Sequence, residues 1–378
     1  MALPRSKYVH EGQEGVYHCF TRCVRRAFLH GFDPVTHRDF SHRKAWLVDR
    51  LRYLAAIFAI EVCAYAVMEN HYHTILRTRP DIVALWSDRN VAIRWLNLFP
   101  RHRNPAGTPL PPTEMEICAL ADCPQRIAEL RRRLSSLSWF MGRLNEFIAR
   151  AANKEDAVKG RFWESRFKCQ ALLDDAAVVA CMAYVDLNPI RAGLAETPEQ
   201  SDFTSIQERI RAWQQETLTT ASAPTEPDQN MQSGSFGHKM TLLNTSNPVL
   251  TSVSAARPSL DDTSLSACWL CPIQSDPGRR GILPMTTVEY LDLVDKSGRI
   301  LRSDKPGAMD PDLAPFLLRI GANPDAWLDI ISSFGFRFRL AAGLISSLRG
   351  LADRIGRHWL VGIAAARAAF AESPLRLA

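Results

Sequence analysis

Residues 61–76 read Glu-Val-Cys-Ala-Tyr-Ala-Val-Met-Glu-Asn-His-Tyr-His-Thr-Ile-Leu. Val62, Ala64, Ala66 and Met68 alternate with their neighbours, and the run after Asn70 continues in β-prone residues. The stretch therefore predicts two strands, at 60–68 and 71–78. Side chains two apart in a strand share a face. His71 and His73 then stand side by side with Tyr72 turned away, and two adjacent imidazoles are a donor pair for one metal ion.

Residues 16–23 also read as a strand. Residues 37–59 carry Phe40, Trp46, Leu47, Leu51, Leu54 and Phe58 at helical spacing. A second apolar stripe predicts a helix over 126–150, and 162–172 returns to strand. Asp174 or Asp175 can cap a helix that runs to about Leu187 and ends before Pro189. Residues 80–133, broken by Pro109, Pro111 and Pro112, read as an insertion. Without them the order is β-α-β-β-α-β and a further helix. That is the ferredoxin-like, or split βαβ, order of an α+β fold, which packs helices on one sheet face and leaves the other free for a substrate.

The chain has 378 residues, enough for more than one domain, and is 46% hydrophobic and 23% charged, as in globular proteins. No run of 18 apolar residues suggests a membrane span. Met1-Ala-Leu-Pro-Arg-Ser-Lys7 lacks a signal peptide's apolar stretch, so a cytoplasmic protein is expected. Nine scattered cysteines read as reduced thiols, and Cys268-Trp-Leu-Cys271 has no second pair to complete a zinc site. The net charge of +6 is compatible with an acidic partner such as nucleic acid. Residues 217–265, rich in Ser, Thr, Pro, Asn and Gln, read as a disordered linker. The tail regains apolar periodicity at Trp327, Ile330, Ile331 and Phe334. The expected division is 8–213 with its insertion at 80–133, a linker over 214–280, and a helical domain over 281–378. The tail's Arg337, Arg339, Arg349, Arg354 and Arg357 read as an accessory DNA or partner contact, or as solvated surface.

A second segment bears on chemistry. Gly160-Arg-Phe-Trp-Glu-Ser-Arg-Phe-Lys168 is followed by Tyr184-Val-Asp-Leu-Asn-Pro-Ile-Arg-Ala-Gly-Leu194. Tyr184 and Asn188, four apart, share a helix face. Beside a metal site a tyrosine can act as a nucleophile on a polarised phosphate. It needs help, because a phenol of pKa near 10 is about 0.1% ionised at pH 7, a handicap of about 4 kcal/mol. Taken alone, Tyr184 reads rather as a half-buried core aromatic and Asn188 as a helix C-cap before proline. Arg161, Arg166 and Lys168 interleave with Phe162, Trp163 and Phe167, a pattern for phosphates and unpaired bases or for an ordinary amphipathic strand. Arg191 could reach the same phosphate. Asn70 could fix an imidazole or a turn.

Asn70-His-Tyr-His73, Gly160–Lys168 and Tyr184–Leu194, in that order, resemble the single-tyrosine HUH transposases, closest to the REP-associated tyrosine transposases. Tyr72 fills the hydrophobic place between the histidines. The resemblance spans about residues 8–210. It implies the ferredoxin-like fold, with His71, His73 and Asn188 as ligands of a magnesium or manganese ion and Tyr184 as nucleophile. It also implies single-stranded or hairpin DNA as substrate, cleaved through a 5′-phosphotyrosine, and a homodimer. Imidazoles alone would suggest zinc or a later transition metal. The hard ion rests on the resemblance and on the oxygens that Asn188 and phosphate would add. The alternatives are a replication or conjugation nicking enzyme of the same class and a domesticated protein that binds hairpins without cutting.

Overall fold

The computed structural model describes residues 3–24, 31–33, 37–221, 269–302, 317–319 and 322–370. Strand β1 (Gly15–Arg22) is followed by a short hairpin, β2 (Phe32–Asp33) and β3 (Arg38–Asp39). Helix α1 (Arg43–Ile57), β4 (Ile60–Val67) and β5 (His71–Thr78) come next. The main sheet is completed by β6 (Lys168–Leu172) and β7 (Ala341–Ala342), in the order β4-β5-β1-β6-β7. The first four strands pair antiparallel and β7 joins β6 in parallel. The fold is α+β with a mixed five-stranded sheet.

The insertion is helical: α2 (Pro80–Leu85), α3 (Asp88–Leu98), α4 (Glu114–Ala121) and α5 (Pro124–Leu134). Thr113 opens α4 with a reciprocal capping box to Glu116. The single helix expected over 126–150 is two, α5 and α6 (Leu137–Glu155). Ser135 turns its hydroxyl back to the Arg131 carbonyl at 3.3 Å, one of the local bonds by which serine competes with a continuing helix.

The sheet faces are sorted by the alternation in β5. Tyr72 points to the face covered by α6, where its hydroxyl donates to Asn145 Oδ1 at 2.7 Å. The histidines point to the opposite face. That face is not open, as expected, but roofed by α7 (Asp175–Asp186). Asp174 caps α7 by accepting from the Ala177 amide at 3.1 Å. From Ala176 to Asp186 every residue of α7 is buried. A helix apolar all round must be covered on both sides, and the second cover comes from the C-terminal part of the chain.

After α7 come α8 (Asn188–Arg191), α9 (Ser205–Ala221), α10 (Thr287–Arg302), α11 (Pro324–Arg337), α12 (Ile345–Arg354) and α13 (Ile363–Ala369). Helix α11 packs on α7, and β7 extends the sheet, the Leu173 amide donating to the Ala342 carbonyl at 3.0 Å. Tyr290 of α10 donates to buried Asp186 at 2.5 Å. The Cys271 amide bonds to the Val62 carbonyl at 2.9 Å, and Arg77 donates to the Gly281 carbonyl at 2.7 Å. One continuous apolar core includes residues from both ends of the chain. The boundaries expected at 213 and 281 thus fall inside packed stretches. Most of the expected linker, residues 222–268 with Cys268, lies outside the described residues. Among the described residues no helix is long and apolar enough to cross a membrane.

Candidate active site

The pairing register assembles the site. Phe20 stands opposite His73 and Arg22 opposite His71 across β1 and β5, while His18 stands opposite Gln170 across β1 and β6. Residues directly opposite share a face, so His18, Phe20, His71, His73 and Gln170 all project beneath α7. The His71 and His73 rings are 5.0 Å apart between centroids, and His73 lies 5.7 Å from the Tyr184 ring, edge to face. His18 is 5.1 Å from His73 and 6.0 Å from Tyr184.

Hydrogen bonds fix both candidate ligands. His71 Nδ1 lies 2.7 Å from Asn70 Oδ1, an acceptor, so Nδ1 carries the hydrogen and Nε2 keeps its lone pair. Asn70 also lies in the β4–β5 turn, which the Met68 amide closes on the His71 carbonyl at 2.8 Å, and its own carbonyl accepts from the Cys23 amide at 2.8 Å. His73 Nδ1 lies 2.9 Å from His18 Nε2, and His18 Nδ1 lies 3.3 Å from Gln170 Oε1. Burial pushes His18 down to about 4. Burial, with the Arg22 charge second, takes His71 to about 4. His73 falls well below the usual range through burial, then through its histidine neighbours, Arg191 and Arg22. All three are neutral at pH 7, the state in which imidazole binds a metal.

Tyr184 is 7% exposed, with the guanidinium of Arg191 over its ring at 4.9 Å and Phe334 of α11 at 5.9 Å on another side. The helix breaks once between Tyr184 and Asn188: α7 ends at Asp186, and Pro189, without an amide hydrogen, sits in the first turn of α8. Asn188 Nδ2 and Arg191 Nη1 are buried with no hydrogen-bond partner among the described residues. Such orphans are uncommon in native structures and ask for a missing partner.

Among the described residues no three His, Cys, Asp or Glu side chains are grouped to hold a metal. His18 cannot be the third ligand, since both its nitrogens are already engaged. The donor set that fits an ion is the Nε2 atoms of His71 and His73 with a third ligand of another type. The unpaired amide of Asn188 is of that type, once its oxygen and nitrogen, alike in shape, are exchanged.

The segment expected to bind DNA is arranged differently from its sequence reading. Only Lys168–Leu172 is strand. Residues 161–167 run irregularly, held by bonds such as Glu164 amide to Arg22 carbonyl at 3.0 Å. Phe162 and Phe167 are buried, and Trp163 is half-buried with its indole N–H donating to the Asn145 carbonyl at 2.9 Å. Phe162 and Phe167 therefore pack inward, and Trp163 presents only part of its ring. Arg161, Arg166 and Lys168 are exposed, Lys168 with its ammonium 5.4 Å above the Phe20 ring.

His18 and Gln170 were not singled out in the sequence. Their signal was a polar residue flanked by apolar ones inside a strand, His18 between Tyr17 and Cys19 in β1 and Gln170 between Cys169 and Ala171 in β6, and it gains meaning only with the register.

No protein-family model and no curated protein matches the chain. A solved structure described as the REP-associated tyrosine transposase bound to a REP hairpin is similar to 64% of this chain and 99% of its own, at 12% identity and a TM-score of 0.33. A likeness that remote leaves the assignment to the geometry of the chain itself.

Proposed function

We propose that the chain is a metal-dependent single-stranded DNA endonuclease and strand transferase of the HUH single-tyrosine class, with a ferredoxin-like catalytic part over 8–213. The single observation that carries the reading is the meeting of His71, His73 and Tyr184 on one face, from motifs more than 100 residues apart in the chain. The motif resemblance supplies the reaction class and the hard ion, magnesium or manganese.

His71 and His73 would hold the ion through Nε2, with Asn188 as third ligand, and when bound it would polarise the scissile phosphate. Arg191, already over the Tyr184 ring with an unpaired Nη1, pairs with a phosphate oxygen. The Tyr184 oxygen forms a bond to phosphorus while the bond from phosphorus to the 3′ oxygen breaks. The phenol loses its proton and the leaving oxygen becomes a hydroxyl. The ester energy stays in the 5′-phosphotyrosine, so a second 3′-hydroxyl can reverse the step without ATP. Arg161, Arg166 and Lys168 hold the DNA backbone. Residues 281–378 act as an accessory part seated on the nucleophile helix. A homodimer, which the resemblance implies, is tested by light scattering.

The test is covalent adduct formation on labelled hairpin DNA with manganese. His71→Ala, His73→Ala and Tyr184→Phe should each abolish the adduct and leave the fold intact, and Asn188→Ala should raise the manganese needed. An adduct in Tyr184→Phe would move the nucleophile to another residue. The burial of Tyr184 favours a second reading, a hairpin-binding protein that does not cut. Tight hairpin binding with no adduct under any metal would select it.

A further inference from the structure

Gln170, His18 and His73 form a buried chain from β6 through β1 to β5, and it has a direction. Gln170 Oε1 only accepts, so the His18 nitrogen facing it, Nδ1 at 3.3 Å, carries a hydrogen. A neutral imidazole has one N–H, which leaves His18 Nε2 as an acceptor. His73 Nδ1, 2.9 Å from it, must then be the donor. With the Gln170 amide in this orientation, the hydrogen of His73 belongs on Nδ1 and its Nε2 keeps the lone pair. Asn70 does the same for His71 through a single bond at 2.7 Å.

We propose that His18 is a positioning residue of the metal site, holding His73 in the ligand tautomer and orientation, with Gln170 as the anchor that sets His18. The proposal rests on the metal-site reading above. An imidazole that binds a metal through one nitrogen commonly gives its other N–H to an oxygen acceptor, and loss of that partner costs about 10–100-fold in metal affinity. A neutral imidazole as acceptor is rarer, and it works only if its own tautomer is fixed. Gln170 supplies that. His18 is 1% exposed, so no water competes for its Nε2, and the ring cannot swing out. The reversed amide would run every hydrogen the other way and place one on His73 Nε2, closing that ligand position. The proposal therefore makes a claim about one atom.

Two measurements on the full chain test it. The first needs no metal. Two-bond proton–nitrogen correlation spectra of histidine-labelled protein at pH 7 should show His73 as the Nδ1–H tautomer. A His73 Nε2–H tautomer overturns the proposal even if the metal reading stands. The second is manganese binding, read by loss of the free-ion electron paramagnetic resonance signal. His18→Leu removes the acceptor and should weaken binding about 10–100-fold. His18→Gln, whose Oε1 can accept from His73, should return to within a few-fold of wild type. Gln170→Leu should fall between, and serves if His18→Leu fails to fold by circular dichroism. Wild-type affinity in both leucine variants, with binding lost in His73→Ala, overturns the relay and leaves the metal site. No binding by the wild type overturns the metal site, and the relay with it.

Discussion

The hydroxyl of Tyr184 faces the backbone of Gly335 so closely that a methyl group at residue 335 would stand 3.0 Å from the oxygen and 3.6 Å from Cζ. The glycine lies on α11, in a helix interior where glycine ordinarily costs about 1 kcal/mol relative to alanine. Its presence lets α11 settle on the proposed nucleophile.

Gly335→Ala should therefore destabilise the protein despite the better helix propensity, because the hydroxyl cannot give way in a buried site. Tyr184→Phe removes that oxygen and should accept the alanine. A double-mutant cycle by urea unfolding should give a coupling of about 0.5–3 kcal/mol, with Gly335→Ala less harmful in the Tyr184→Phe background. Additivity would mean that α11 does not hold Tyr184 at this distance in solution.

The proposed DNA contact falls to the cations of residues 161–168, and the aromatics between them serve packing. Arg161→Ala, Arg166→Ala and Lys168→Ala should each weaken hairpin binding and lower the slope of log affinity against log salt by about 0.7–0.9, one phosphate contact apiece. Trp163→Leu should lower the melting temperature instead, since the indole packs inward and bonds to the Asn145 carbonyl. A Trp163→Leu variant of unchanged stability that loses ten-fold in affinity at all salts would restore base stacking to this segment.

Much of the frame was legible because it is local. The strands at 60–68 and 71–78, the turn of His71 and His73 away from Tyr72, and the cap at Asp174 all follow from alternation and capping, which need only neighbours in sequence. The remainder depends on distant partners. Phe162 and Phe167 look like an exposed stacking surface until other parts of the chain cover them, as when Arg5 places its guanidinium 3.7 Å over the Phe167 ring. His18 is one histidine in a strand until the register sets it opposite Gln170 and diagonal to His73. The apolarity of α7 on every side did carry a sign that something must roof it, and the residues that do so lie about 150 positions later.

Two buried groups give stability opposite pH dependences. His18 is held near 4 in the fold against about 6.5 unfolded, so its contribution is present above about 6.5 and is lost as pH falls toward 4. Between pH 7 and 5 that is a loss of about 2 kcal/mol. Burial raises Asp186 to about 6, opposed by its bonds from Ser205, Tyr290 and the Ile206 amide and by Arg209. Its contribution is fully present below about 4 and is lost as pH rises through 6, so acidification from 7 to 5 returns about 1 kcal/mol. The wild type should lose stability over that range, because burial depresses His71 and His73 in the same direction as His18. His18→Gln should become relatively more stable at pH 5 than at pH 7, and Asp186→Asn relatively less, read from urea midpoints at both values. Parallel pH profiles in all three proteins would show that neither group titrates as its burial implies.

Removal of the C-terminal part tests the division of labour proposed for it. The local pattern alone predicts that a fragment ending near residue 210 folds and nicks DNA. The contacts add two opposing effects. Truncation strips Trp327, Ile330, Ile331 and Phe334 from the neighbourhood of α7, takes Tyr290 from Asp186, and frees the β6 edge that β7 occupies. A loss of several kcal/mol should lower the melting temperature by on the order of 10 °C for a domain of this size. It also uncovers Tyr184, which is only 7% exposed with α11 packed beside it. The fragment should thus be less stable than the full chain, and at a temperature where it is folded it should form the 5′ adduct faster. Equal stability of the two proteins would show that the C-terminal helices are a separate unit after all. A folded fragment with the same adduct rate as the full chain would show that α11 does not limit access to the nucleophile.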